Sequence, residues 1–210
     1  MKFLITAGPT KEFIDPVRYI TNRSSGKMGL ALVKAALKLG HDVTLITSLK
    51  TDIIDKKVKV IPIISALDML KCVKEEFENS NVLIMAAAVC DYSPVNYSFE
   101  KIKKIKEKIN LELIKTPDIL KEISKNKKQQ FVVGFSAETN DLLINAKKKL
   151  EEKYLDIIVA NDITQKGAGF DVDTNIVSIL YKDGQIEQVP EMSKIKLGEL
   201  LIDIIIKRIK

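Results

Sequence analysis

Apolar and polar positions along this chain follow two alternating periods. Short, mostly apolar runs recur at Phe3-Leu4-Ile5-Thr6, Asp42 to Ser48, Val58 to Ile63, Val82 to Val89, Phe131 to Glu138 and Leu155 to Asp162. Runs of that length predict strands, and the unbroken Val82–Val89 run predicts one covered on both faces. Pro62 predicts that the third strand lies near a sheet edge. Between the runs, apolar residues three and four apart predict helices over Gly26–Leu39 and from Ser65, with Leu67, Leu70, Val73 and Phe77 facing inward. Further helices are predicted after Thr116-Pro117-Asp118 (threonine as cap, proline at the first position), from Thr139-Asn140-Asp141 to Lys153, and from Ser193 to Arg208. Leu111–Lys115 predicts a short strand. Asn175–Lys182 and Gln185–Pro190 predict a hairpin closed by Asp183-Gly184. Strands alternating with helices predict an α/β protein with a largely parallel sheet.

The first strand-to-helix connection carries the strongest sign of function. Phe3 to Thr6 breaks at Ala7-Gly8-Pro9-Thr10, and an irregular stretch from Lys11 to Ser25 precedes the helix at Gly26-Lys27-Met28-Gly29. A helix start offers unpaired N–H groups and a partial positive charge, which suit a phosphate. Ser24 or Ser25 is expected to cap that helix, and Gly26 and Gly29 to permit close approach. The stretch is not a P-loop, because Met28 follows Gly26-Lys27. It is not a G-x-G-x-x-G fingerprint either, because Gly8 stands alone in the first turn.

Composition narrows the classes. The chain has 210 residues, 46% hydrophobic and 30% charged, which fits a globular protein with a sizeable core. No secretory pattern opens it, and no apolar run approaches the ~18 residues that span a bilayer. With Cys72 and Cys90 as its two cysteines, a disulfide framework is not expected, and a cytoplasmic location is. His41 is its one histidine, so no His/Cys metal cluster is expected. The net charge of +6 fits a solvated lysine face, nucleic acid or anionic small substrates.

Single residues remain ambiguous at this level. Asp91 follows the fourth apolar run, where open parallel sheets gather ligands, yet it could be a turn residue. Phe135 could be core or could stack on a base. Lys149 and Lys153 share a helix face and could be wet or grip phosphate. Pro94 to Lys108 shows no inward stripe and predicts an arm or flap. Tyr97 and Lys101 match the Tyr-x-x-x-Lys pair of short-chain dehydrogenases without the glycine fingerprint that should accompany it.

Longer motifs resolve much of this. They are Ile5-Thr6-Ala7-Gly8-Pro9-Thr10, Asp15-Pro16-Val17-Arg18, Asn22-Arg23-Ser24-Ser25-Gly26-Lys27-Met28-Gly29, Ala86-Ala87-Ala88-Val89-Cys90-Asp91-Tyr92, Glu100-Lys101-Ile102-Lys103-Lys104, Gly134-Phe135-Ser136-Ala137-Glu138-Thr139-Asn140 and Ala160-Asn161-Asp162. In this order they resemble phosphopantothenate–cysteine ligases over nearly the whole chain. Cys90 departs from the alanine frequent before the Asp.

The resemblance implies a Rossmann-like, mostly parallel sheet with helices on both faces, plus a flap and a C-terminal hairpin and helix. One ligase domain over 1–210 is implied, with 93–110 as a flap or dimerisation arm. It implies ligation of 4'-phosphopantothenate to L-cysteine through an acyl-nucleotide, with CTP expected over ATP and Mg²⁺ beside the triphosphate. Asn22 and Lys101 are the implied catalytic residues. Met85, Ala86, Ala87, Asp91, Lys101, Pro117, Asp118, Ile119, Leu120, Phe135, Lys149 and Lys153 are implied nucleotide contacts. Gly8, Asn22, Ser24, Ser25 and Gly26 are implied phosphopantothenate contacts. A homodimer is expected, with no flavin, nucleic acid or membrane partner. A separate flavin-dependent decarboxylase is a conceivable associate.

Overall fold

The computed structural model describes residues 1–50, 55–104, 107–165, 167, 169 and 172–209. Parts of three expected segments therefore lie outside the described residues: the Asp52–Lys57 connection, the Gly167–Asn175 loop and the 93–110 arm.

The chain opens with β1 (Lys2–Ala7), buried beyond its first residue. β2 (Lys11–Phe13) and β3 (Tyr19–Thr21) then form a small antiparallel hairpin, where the polar pattern predicts no element. The Asp15 carboxylate makes the turn by accepting from the backbone N–H groups of Val17 and Arg18, each at 2.8 Å. α1 (Lys27–Lys38), β4 (Asp42–Thr47), β5 (Lys59–Pro62), α2 (Ala66–Phe77) and β6 (Val82–Met85) follow. Next come β7 (Tyr92–Pro94), β8 (Leu113–Lys115), α3 (Ile119–Ser124), β9 (Phe131–Glu138) and α4 (Leu142–Glu152). β10 (Ile157–Asp162), β11 (Thr174–Tyr181), β12 (Ile186–Ser193) and α5 (Lys194–Ile209) complete the chain.

Eight strands form one sheet in the order β12-β11-β10-β9-β6-β1-β4-β5. From β5 to β10 every pairing is parallel; β11 and β12 join antiparallel. The parallel part has the doubly wound Rossmann order, and β5 is an edge strand as Pro62 predicts. Helices cover both faces. α1 and α5 share one core cluster with Ile5, Val133 and Val159. α2, α3 and α4 share the other with Leu4, Leu83 and Ile158. No helix among the described residues is long and apolar enough to cross a membrane.

Three sequence expectations shift. The Ser65–Asp68 capping box forms, but it phases α2 so that Ala66, Met69, Leu70, Val73 and Phe77 are buried. Leu67 is 66% exposed. β6 stops at Met85 instead of reaching Val89, because the Ala87 N–H turns to the Thr6 hydroxyl at 3.1 Å. Asp91 therefore sits in a loop beyond the strand. α3 is capped by Asp118, whose carboxylate accepts from the Lys121 N–H at 3.1 Å. Thr116 instead donates its hydroxyl to the Cys90 carbonyl at 2.5 Å.

α1 lies unusually close to β1 at Gly29. A Cβ there would stand 2.5 Å from Ala7 Cβ and 3.0 Å from the Thr6 carbonyl oxygen. Gly29→Val is expected to destabilise the protein by about 1–3 kcal/mol. Thermal unfolding should show the midpoint fall by several degrees, at roughly 2–4 °C per kcal/mol for a chain of this size.

Candidate active site

β1 and β6 are neighbours whose following chain segments leave in different directions, so a cleft opens over their carboxyl ends. The two departing loops are tied together. Ala88 N–H donates to the Gly8 carbonyl at 3.0 Å and Thr10 N–H to the Ala88 carbonyl at 3.3 Å. The buried Thr10 hydroxyl accepts from Cys90 N–H at 2.9 Å. The cleft measures about 810 Å³. A smaller cleft of about 480 Å³ lies at the opposite ends of the strands, beside the β11–β12 turn.

One wall is the start of α1. Gly26 is the N-cap in the left-handed region, φ 71°, with no side-chain cap. Ser24 Oγ accepts from Gly26 N–H at 3.3 Å instead of capping the helix as expected. The first turn has no acidic residue, so the positive end of the helix faces the cleft open. Asn22 lies beside it, its amide N–H₂ donating to the Val89 carbonyl at 2.9 Å and toward the Ala88 carbonyl at 3.5 Å. Asn22 Oδ1 is the part of that amide left for a ligand.

The other wall comes from the α3–α4 face. Pro117 to Leu120 line it, with Lys149 and Lys153 one turn apart on α4. Lys149 pairs with Glu138 at 2.6 Å and reaches Ser136 at 3.3 Å. Lys153 pairs with Asp118 at 3.0 Å. Burial raises the Glu138 pKa, but the Lys149 ammonium, the Ser136 hydroxyl and the Asn145 amide together hold it below the usual value. Glu138 is thus a fixed anion that keeps Lys149 in place.

Of the described residues lining the cleft, six are basic (Arg23, Lys27, Lys115, Lys149, Lys153 and Lys194) and two, Asp91 and Asp118, are acidic. Such a surface suits an anionic ligand. Among residues named from sequence, the lining includes Asn22, Ser24, Ser25, Gly26, Met85, Ala86, Ala87, Asp91, Pro117, Asp118, Ile119, Leu120, Phe135, Lys149 and Lys153. Gly8 does not line it; it stands behind Gly26, whose added Cβ would lie 3.1 Å from the Gly8 nitrogen. Lys101 is exposed on the arm and does not line the cleft of its own chain, nor does Tyr97, so the Tyr-x-x-x-Lys pair is not assembled there. Asn161, Asn175 and Lys194 line it without having been singled out as contacts. Asn161 had a signal, its polar place at a strand end. Asn175 and Lys194 come from the antiparallel hairpin and the last helix, and no local pattern marks them. Cys90 is 2% exposed, and burial pushes its thiol pKa up, so it is a packed thiol beside the site.

A model of the DNA/pantothenate metabolism flavoprotein C-terminal domain matches residues 1–209. The chain belongs to that family. The Coenzyme A biosynthesis bifunctional protein CoaBC of Bacillus subtilis is 48% identical over 203 residues, 96% of this chain and 50% of that protein. The chain spans about half the length of the curated relatives it matches. A crystal structure of the C-terminal domain of a CoaBC protein superposes with a TM-score of 0.80 at 38% identity, covering 98% of this chain and 94% of that one. The DNA/pantothenate metabolism flavoprotein of Streptococcus pneumoniae superposes at 0.85 with 29% identity, covering 99% of each chain.

In this family member a buried carboxylate holds the segment around Ile102, alongside a backbone bond from Ser98 N–H to the Ile14 carbonyl at 2.9 Å. Asp15 is fully buried. It accepts from Ile102 N–H at 3.2 Å and pairs with the Arg18 guanidinium at 2.6 Å, which also donates to the Ile102 carbonyl at 3.2 Å. Burial alone would raise the Asp15 pKa. The N–H groups of Val17, Ile102 and Arg18, with the guanidinium, outweigh it and hold the value below the ordinary 3.8. A lowered folded pKa gives stabilisation that is full above the unfolded value and fades as pH falls through the folded value. Hydrogen exchange at Ile102, corrected for intrinsic rates, is therefore expected to accelerate on acidification below about pH 4. Asp15→Asn should exchange faster at neutral pH and lose that acid dependence.

Proposed function

We propose that the cleft joins 4'-phosphopantothenate to L-cysteine, using CTP and releasing CMP and pyrophosphate. The observation that carries this is the strongly basic cleft, open to two helix faces, built from the motifs shared with the CoaBC half that this chain matches. A carboxylate is a poor acyl donor until a phosphoryl group is placed on it. In the first step a carboxylate oxygen of phosphopantothenate attacks the α-phosphorus of CTP. The bond from that phosphorus to the bridging oxygen breaks, and pyrophosphate leaves. In the second step the cysteine amine attacks the acyl carbon. The carbon–oxygen bond to the nucleotide breaks, CMP leaves, and the amine loses a proton.

Both steps gather charge on oxygens, so fixed donors and cations matter more than a strong base. Lys149 and Lys153 suit the nucleotide phosphates on one wall. The open start of α1 with Ser24, Ser25 and Gly26 suits the acid substrate on the other. The Pro117–Leu120 backbone, which lines the cleft, suits the edge of a base, and Phe135 its face. Asn22 Oδ1 is free to accept from the attacking amine; holding an oxyanion through its N–H₂ would require the amide to turn from Ala88 and Val89. A Mg²⁺ would be held mainly by phosphate oxygens and its own waters, with Asp91 the carboxylate of the cleft lining that suits it; Asp118 is engaged by Lys121 N–H and Lys153. Bound there, it would neutralise phosphate charge.

The arm suits a homodimer. Val95, Tyr97 and Ile109 are exposed, Phe99 is 87% exposed, and Lys101 points to no site of its own chain. In a dimer, Lys101 would serve the partner's cleft. The enzyme would work in the cytoplasm, alone or beside a separate flavin-dependent decarboxylase.

Pyrophosphate release is expected only when phosphopantothenate and a nucleoside triphosphate are both present, faster with CTP than ATP. No consumption of any triphosphate would end this reading. Asn22→Asp is expected to abolish amide formation while the acyl-nucleotide still accumulates. Mixing inactive Asn22→Asp and Lys101→Ala subunits should restore part of the activity if Lys101 acts across the dimer.

A further inference from the structure

The second cleft, about 480 Å³ beside the β11–β12 turn, lies apart from the ligation site and is the size of a small-molecule pocket. Its floor is apolar. Leu150, Leu155 and Leu180 are buried there, and Ile186 stands at the edge, 49% exposed. Its rim is basic. Lys127, Lys128, Lys147 and Lys182 face two carboxylates, Glu151 of the lining and Asp156 behind it. Asp156 engages Lys127 at 2.6 Å and Lys182 at 3.3 Å. Lys128 and Lys147 have no ion pair among the described residues.

A strained residue stands at the mouth. Tyr154 follows the C-cap of α4 with φ 50°, in the left-handed region that glycine or asparagine usually fills at this position. The conformation is held from several sides. Tyr154 N–H donates to the Glu151 carbonyl at 3.2 Å and Leu155 N–H to the Leu150 carbonyl at 3.0 Å. The Lys127 ammonium donates to the Tyr154 carbonyl at 2.9 Å and is itself fixed by Asp156, which also accepts from Val132 N–H at 2.8 Å. The ring repays none of this within the chain. It is 69% exposed, and no other ring or cation stacks on it among the described residues. A bulky side chain kept in a costly conformation, over-determined by its surroundings and lining a cleft, points to a contact made outside the chain.

We infer that this cleft is a second binding site, for a flat aromatic anion whose ring lies on the leucine floor against Tyr154 and whose charge meets Lys128 and Lys147. An aromatic ring suits both the apolar floor and the tyrosine face. The unpaired ammoniums select an anion over its neutral counterpart. α4 is shared between the two clefts: Lys147, Leu150 and Glu151 line this one, and Lys149 lines the ligation cleft. A ligand here therefore touches the helix that carries a lysine of the ligation cleft.

The test titrates the protein with two fluorescent probes of one ring system, anionic 8-anilinonaphthalene-1-sulfonate and uncharged N-phenyl-1-naphthylamine. The wild-type chain is expected to bind the sulfonate on the order of 10-fold more tightly than the neutral probe. Tyr154→Gly should weaken the sulfonate about 5-fold, while its unfolding midpoint holds or rises, because glycine adopts the left-handed turn without strain. The double variant Lys128→Glu, Lys147→Glu should erase the preference for the anion, and Asn22→Asp, in the other cleft, should leave both affinities unchanged. Equal binding of the two probes to the wild-type chain overturns the inference. So does an undiminished affinity in Tyr154→Gly, a midpoint in that variant lowered as a scaffold role requires, or a loss in Asn22→Asp as large as that in Tyr154→Gly. No arm involves ligation, so the inference and the ligase reading stand or fall separately.

Discussion

A short ladder of hydrogen bonds between the loop after β1 and the loop after β6 is the constraint on which the rest of the site depends. Those loops leave the sheet at the β1–β6 junction, where the strand order of the parallel part reverses. Their backbone groups would be stranded in a half-buried position. Thr6 and Thr10, both fully buried, supply hydroxyls that accept from Ala87 and Cys90, Ala88 donates to the Gly8 carbonyl and accepts from Thr10 N–H, and Thr116 closes on Cys90. Buried threonines in an apolar strand end look costly on their own. Here each hydroxyl satisfies a backbone group that the departing chain leaves open.

Holding those loops together sets the electrostatics. The start of α1 is fixed close over β1 by Gly29 and points its uncapped end at the cleft. Across the cleft, Lys149 and Lys153 are each held by a carboxylate of the wall. Glu138 is itself anchored by Ser136 at 2.5 Å and by Asn145. The cations are therefore oriented before any ligand arrives, which lowers the reorganisation a reaction would require.

The sequence conveyed the fold well where local and tertiary signals agree. Strand Phe131–Glu138 appears at its expected bounds, Ser65 and Asp68 cap α2, Pro62 marks an edge, and the Asp183-Gly184 hairpin forms. It misled where a side chain satisfied a distant backbone group. Thr116 looked like a cap but bonds Cys90 from far along the chain; Val82–Val89 looked like one strand but is interrupted by the Thr6 hydroxyl. The 3.6-residue stripe placed Leu67 inward with Leu70, Val73 and Phe77; the last three are buried, while Leu67, in the first turn, is exposed. Most of the cleft lining was legible through the shared motifs. Asn175 and Lys194 were not, because their place in the cleft depends on β11 and α5 folding back from the far end of the chain. Periodicity carries no information about such contacts.

The two kinds of polar group in the cleft behave oppositely, and the difference is informative. Every lysine pair across the α3–α4 wall is satisfied without a ligand, so that wall contributes to the stability of the empty protein. The amide oxygens of Asn161 and Asn175 are buried and unsatisfied, a condition that costs about 1–3 kcal/mol per group. Native proteins rarely leave two such acceptors side by side. A leucine or valine at either position would have suited the core cluster on that face. The α3–α4 side of the cleft is thus organised by charge and the α1–α5 side by unmet hydrogen-bonding capacity.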